Sequence, residues 1–168
     1  MKPRLFIEAT ETGIREVRLG EKDADPQGNR GRHSQHWRGT ARKELHAYFA
    51  GRLRSFSVPC DLTGLPPFTQ AVLSATARIP YGEVRSYRWV AERLGKPKAT
   101  RAVGNALARN PIPIIIPCHR VIRSDGTLGG YALGMKWKKR LLELERAYHP
   151  STLRSRIAPA GASERDHR

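Results

Sequence analysis

Prolines at 111, 113 and 117 bracket four isoleucines in the segment PIPIIIPCHRVI, which runs from 111 to 122. Proline fixes φ and lacks an N–H, so neither a helix interior nor a central strand can run through this stretch. A buried, stiff, extended connector is predicted, and any fold must be arranged around it. It ends by presenting Cys118, His119 and Arg120 side by side. A thiol delivered on a rigid segment, with imidazole and guanidinium groups near, is where a reactive thiolate is expected. Neighbours on an extended segment point to opposite faces, so a bridging water is one way to join Cys118 to His119. On these residues alone the plainer readings stay open: a lone cysteine as a small buried hydrophobe, and His119 as a satisfied core histidine. Cys60, in VPCDL with no His or cationic neighbour, keeps the hydrophobe reading.

The surrounding pattern is mixed. Residues 3–20 alternate in β fashion around Thr12-Gly13, which predicts a hairpin. A polar, Gly-rich loop is expected over 21–36, then a helix over 37–53, on which Trp37, Ala41, Leu45, Tyr48 and Phe49 recur near helical spacing. From Pro67 a helix places Phe68, Ala71, Val72 and Ala75 on one face until the IPYG turn at 79–82. Ser86 can N-cap a helix over 87–94 that Gly95 closes. Only GKPKA separates it from a helix ending near Arg109. Lys96, Lys98 and Arg101 cluster at the start of that second helix, so the pair is either a DNA-reading helix-turn-helix or a plain helical hairpin. SDGTLGGYALG reads as a loop, and a last helix over 136–147 turns Trp137, Leu141, Leu142 and Leu144 to the core. The expected class is α+β. A small N-terminal α/β unit (1–63) precedes a mainly helical domain (64–149) holding the helix-turn-helix and the proline-rich segment. An aperiodic basic tail (150–168) is expected to be disordered.

Charge narrows the partners. Thirty-one Lys and Arg against fifteen Asp and Glu leave +16, and 79–145 carries the largest share. Such an excess attracts polyanions, although a merely solvated basic surface gives the same count. Two cysteines with no CxxC and no Cys/His cluster predict no metal site. No apolar run approaches the roughly twenty residues that cross a bilayer. The expectation is a soluble, intracellular protein, cytoplasmic and nucleoid-associated if bacterial, with its thiols reduced.

IPYGEVRSY, RAVGNALARNPIPIIIPCHRVI and GGYALGMKWKKRLLELE together resemble the O6-alkylguanine-DNA alkyltransferase family over roughly 64–149. The resemblance implies direct repair of double-stranded DNA. One alkyl group passes irreversibly from O6-alkylguanine, with O4-alkylthymine as a further substrate, onto Cys118. No cofactor is implied, since the lesion is the donor and the protein the acceptor, and a monomer is expected without DNA. Matched position by position, His119 becomes the base acting through water, and Glu145, twenty-seven residues past the cysteine, orients it. Tyr87 becomes the donor to the guanine ring, and Asn110 the tie between recognition helix and cysteine segment. Arg101 becomes the finger that fills the base stack after flipping, with Lys96, Lys98, Arg109 and Arg120 as further DNA contacts. Tyr131 becomes a pocket wall, and main-chain groups of Cys118, Val121 and Ala132 grip the base. One departure is Tyr131-Ala132-Leu133-Gly134, where the family often has small residues; Leu133 either narrows the pocket or turns outward. The competing classes are a lesion-binding relative, which would lack the acceptor cysteine, a helix-turn-helix DNA-binding protein, and a cysteine hydrolase, which would turn over.

Overall fold

The computed structural model describes residues 3–20 and 31–149. Most of the polar 21–36 segment and the tail 150–168 therefore lie outside the described residues. Strands β1 (Leu5–Ala9) and β2 (Ile14–Leu19) form the expected antiparallel hairpin, with Leu5 opposite Leu19 and an irregularity at Glu8/Ala9. Helix α1 (Arg32–Phe49) packs on β1. It starts five residues before the expected 37, because Ser34 is buried with its hydroxyl on the Gly31 carbonyl (2.8 Å) and so anchors a polar first turn that periodicity cannot detect. It stops at Phe49 rather than 53, where Gly51 adopts a positive φ.

Helix α2 (Pro67–Thr76) opens with proline at its first position, where no N–H is needed. Strand β3 (Arg85–Ser86) leads into α3 (Tyr87–Arg93), and Ser86 caps it as expected, accepting from Trp89 N at 3.0 Å. Gly95, at φ +68°, lets Lys96 N reach the Ala91 carbonyl (2.9 Å), so the chain turns at once into α4 (Thr100–Ala108). Helices α3 and α4 pack on each other and both on α2.

The 111–122 segment departs from expectation: it is a run of tight turns, and only β4 (Val121–Ile122) is extended, parallel to β3. Asn110 Oδ1 accepts from Ile112 N (2.9 Å), Ile116 N bonds the Ile112 carbonyl, and Ile114 holds φ +77°. A positive φ on a β-branched residue is a strained state that surrounding packing must enforce. Ile112, Ile114 and Ile116 are all buried. Cys118–Arg120 form a 3-10 turn. Helix α5 (Met135–Ala147) closes the fold. Its buried positions are Lys138, Leu141 and Glu145, whereas Trp137, Leu142 and Leu144 are half-buried: polar side chains occupy the face expected to be apolar.

One continuous apolar core joins the hairpin and α1 to α2, α3, α4 and the isoleucine segment. The backbone ties the same parts, since Val17 N donates to the Pro111 carbonyl and Ile14 N to the Pro59 carbonyl, both at 2.8 Å.

Candidate active site

Cys118 lies on the floor of an open pocket of about 660 Å³. Its walls come from α3 (Tyr87), α4 (Arg101, Gly104, Asn105) and the loop after β4 (Arg123, Gly130, Tyr131, Ala132). Burial pushes the thiol up from its ordinary value, while the Asn110 amide and the Lys138 ammonium pull the other way. Asn110 does three jobs from the end of α4: besides bonding Ile112 N, its Nδ2 donates to the Ile116 carbonyl and to Cys118 Sγ, both at 3.1 Å. A donor on the sulfur stabilises the thiolate over the thiol.

Behind the cysteine, His119 is fully buried with Nε2 2.7 Å from Glu145 Oε1. An ionised carboxylate only accepts, so Nε2 carries the proton and Nδ1 keeps its lone pair. Nδ1 has no hydrogen-bond partner among the described residues. Burial lowers the His119 pKa, partly opposed by Glu145, so the imidazole stays a neutral base at physiological pH. Glu145 is buried as well. Burial alone would raise its pKa, but hydrogen bonds from His119 and Arg120 hold it down at about 2.

Two of Glu145's partners change the sequence reading. Arg120, expected on DNA, is buried: Nε donates to Glu145 Oε2 (2.9 Å), Nη2 to Oε1 (2.8 Å) and Nη1 to the Ile79 carbonyl (2.6 Å). Its guanidinium balances an internal carboxylate and is buried away from any phosphate. Tyr48, from the N-terminal unit, donates its hydroxyl to Glu145 Oε1 at 2.7 Å. Nothing in its sequence neighbourhood marked it as more than a core aromatic, because its partner lies 97 residues away.

Lys138 was also invisible in the sequence. It is fully buried at a helix position surrounded by charged residues, and its Nζ donates to the carbonyls of Val121 (2.7 Å), Gly130 (3.1 Å) and Leu128. One ammonium thus pins the pocket loop to β4. Burial pulls its pKa down to about 8. Two expectations about the pocket are affected: that for Val121 is corrected, and of the two alternatives for Leu133 the outward one holds. Val121 is buried with its carbonyl taken by Lys138, and it does not line the pocket. Leu133 is half-buried and outside the lining, so it does not narrow the cavity.

Tyr87, the first residue of α3, is half-buried with its hydroxyl 3.5 Å from the Gly130 carbonyl. Burial raises its pKa, which keeps the phenol a hydrogen-bond donor. Gly129, at φ +66°, packs so close that a Cβ there would sit 2.7 Å from the Tyr87 hydroxyl. Tyr131 also lines the pocket, its hydroxyl buried beside Cys118 and its pKa raised by burial and then by the nearby cysteine. Arg101 lines the pocket, and Lys96, Lys98 and Arg109 are likewise exposed on or beside α4.

A family model described as "6-O-methylguanine DNA methyltransferase, DNA binding domain" matches residues 67–147. The methylated-DNA–protein-cysteine methyltransferase of Mycobacterium tuberculosis is 52% identical over 110 residues, 66% of either chain. A constitutive Bacillus subtilis enzyme of the same name is 51% identical over 108 residues, 63% of this chain and 64% of that one. The matched stretch thus spans about two thirds of these curated relatives. The crystal structure of Mycobacterium tuberculosis OGT in complex with DNA superposes with a TM-score of 0.74 at 41% identity, covering 89% of this chain and 90% of that one. This chain belongs to the O6-methylguanine-DNA methyltransferase family. The family match begins at α2 and ends with α5, so it contains the cysteine turn, α4 and Glu145 but not Tyr48. In this chain the carboxylate paired with the histidine is therefore held in part from outside the matched region.

Proposed function

We propose that this chain reverses DNA alkylation in a single turnover, with Cys118 taking the alkyl group from O6-alkylguanine turned out of duplex DNA. The observation that carries this reading is the cysteine on the floor of an open pocket, backed by a buried His119–Glu145 pair and lined by Arg101 of α4. His119 Nδ1, one water away from the sulfur, takes the thiol proton, and Glu145 stabilises the imidazolium that forms. The thiolate attacks the alkyl carbon in line, a C–S bond forms as the C–O6 bond breaks, and the electron pair leaves with guanine. Tyr87 donates to the departing ring, which lowers the energy of the developing anion. The thioether has no internal route back to thiol, so each molecule acts once. O4-alkylthymine offers the same alkyl-oxygen chemistry and is the second substrate in this reading.

DNA binds along α4, with Arg101 entering the base stack and Lys96, Lys98 and Arg109 on phosphates. We assign 64–149 to DNA binding and alkyl acceptance and 1–63 to the support of Glu145 through Tyr48, with the protein acting as a monomer in the cytoplasm. No described helix is long and apolar enough to cross a membrane. The test uses duplex DNA carrying O6-methylguanine with a labelled methyl. The wild type should become labelled, and Cys118→Ala should bind the same DNA without acquiring label. Label on Cys118→Ala would overturn the assignment of the acceptor.

A further inference from the structure

Arg123 lies in the pocket wall, at a position the sequence reading did not single out. It follows β4 directly, and its backbone is locked: Arg123 N donates to the Thr127 carbonyl (2.8 Å) and Gly126 N to the Arg123 carbonyl (3.0 Å). Asp125 Oδ1 fastens the same turn by accepting from Thr127 N (2.9 Å) and Thr127 Oγ1 (2.7 Å). The Arg123 side chain is exposed and lines the same cavity as Cys118, Tyr87 and Tyr131. Arg101 completes the cationic side of the cavity, and no Asp or Glu lines it. A transferred methyl group carries no charge for either cation to meet.

Resting on the alkyltransferase reading, we infer that Arg123 is a specificity residue that admits adducts ending in an anion, the carboxymethyl group on guanine O6 being the simplest. A thiolate approaching a carbon next to a carboxylate meets a like charge, which in a neutral pocket disfavours attack. A guanidinium beside that carboxylate offers two charge-assisted hydrogen bonds and removes the repulsion. The bond changes are those of methyl transfer: S–CH2 forms, CH2–O6 breaks, and the electron pair leaves with guanine. The carboxylate stays on the methylene, which ends as S-carboxymethylcysteine. No further reactant is needed.

The test measures single-turnover rates on duplexes carrying O6-methylguanine, O6-carboxymethylguanine and the neutral isostere O6-carbamoylmethylguanine. In the wild type the carboxymethyl adduct should react faster than the carbamoylmethyl one. In Arg123→Gln the carboxymethyl-to-carbamoylmethyl ratio should fall about tenfold or more, the size expected for loss of a charge-assisted hydrogen bond. Arg123→Lys should retain part of the preference, because it keeps the charge and loses the fork. A ratio unchanged in Arg123→Gln, or equal losses on all three substrates as for a phosphate contact, would overturn the inference. Absence of methyl transfer by the wild type would instead overturn the activity on which it rests.

Discussion

Glu145 keeps its charge inside the protein because Tyr48, His119, Arg120 and the Gly82 N–H all donate to it. Glu145→Gln places an amide donor against Arg120 and leaves that guanidinium buried without a counter-charge. A loss of about 3–5 kcal/mol is expected in denaturant unfolding, the usual consequence of breaking a buried pair from one side. Transfer should slow by about a hundredfold or more, since His119 loses the carboxylate that makes it a base. The acid limb of stability has a definite sign. The folded pKa of about 2 lies below the value of about 4.3 of an unfolded glutamate. The Glu145 contribution is therefore complete above the unfolded value and is lost as pH falls through the folded one. Melting temperature followed from pH 5 downward should fall less steeply in Glu145→Gln than in the wild type, and parallel curves would contradict the assignment. Tyr48→Phe removes only one donor, so about 1 kcal/mol is expected, with transfer reduced far less than in Glu145→Gln.

At the scale of elements, α3, α4 and the loop after β4 form the pocket, and each is held by a contact that can be broken. Gly129→Ala puts a Cβ into the Tyr87 hydroxyl at a backbone angle that L residues avoid, so Tyr87 must move. Single-turnover transfer should drop while the melting temperature falls by only the few degrees that about 1–2 kcal/mol of backbone strain costs, and an unchanged rate would mean that Tyr87 does not act on the leaving base. Arg101→Ala should slow repair of duplex DNA by a factor reflecting the few kcal/mol of unstacking a base, and much less for free O6-methylguanine. Equal losses on both substrates would remove the finger role. These elements were also the most legible in the sequence, because Ser86, Gly95 and Asn110 are local signals at the ends of helices. The cysteine segment was half legible. Its prolines excluded helix and strand, but the tight turns depend on Asn110 and on the burial of four isoleucines, which composition does not reveal. The start of α1 was hidden because RHSQH has no apolar period and is fixed by Ser34 bonding to backbone.

Over the whole molecule, the hairpin and α1 share one core with the catalytic part, and through Tyr48 they reach its carboxylate. That link joins residues 97 apart, and no local pattern could announce it. Arg120 was misread, and Lys138 overlooked, for a related reason. A buried cation looks like a surface one until its carbonyls or its carboxylate are placed around it. The surplus of positive charge was legible from the start, and its consequence is measurable: binding to undamaged duplex should weaken steeply with salt as Lys96, Lys98, Arg101 and Arg109 release counterions. A flat salt dependence would mean that α4 does not face DNA. The central claim is that the protein is consumed by the reaction at one thiol, and titration with excess O6-methylguanine duplex, followed by peptide mass mapping, tests it most directly. Repair should stop at about one lesion per active molecule, with one added methylene on the peptide containing Cys118 and none on that containing Cys60; continued turnover, or a methyl on Cys60, would contradict it.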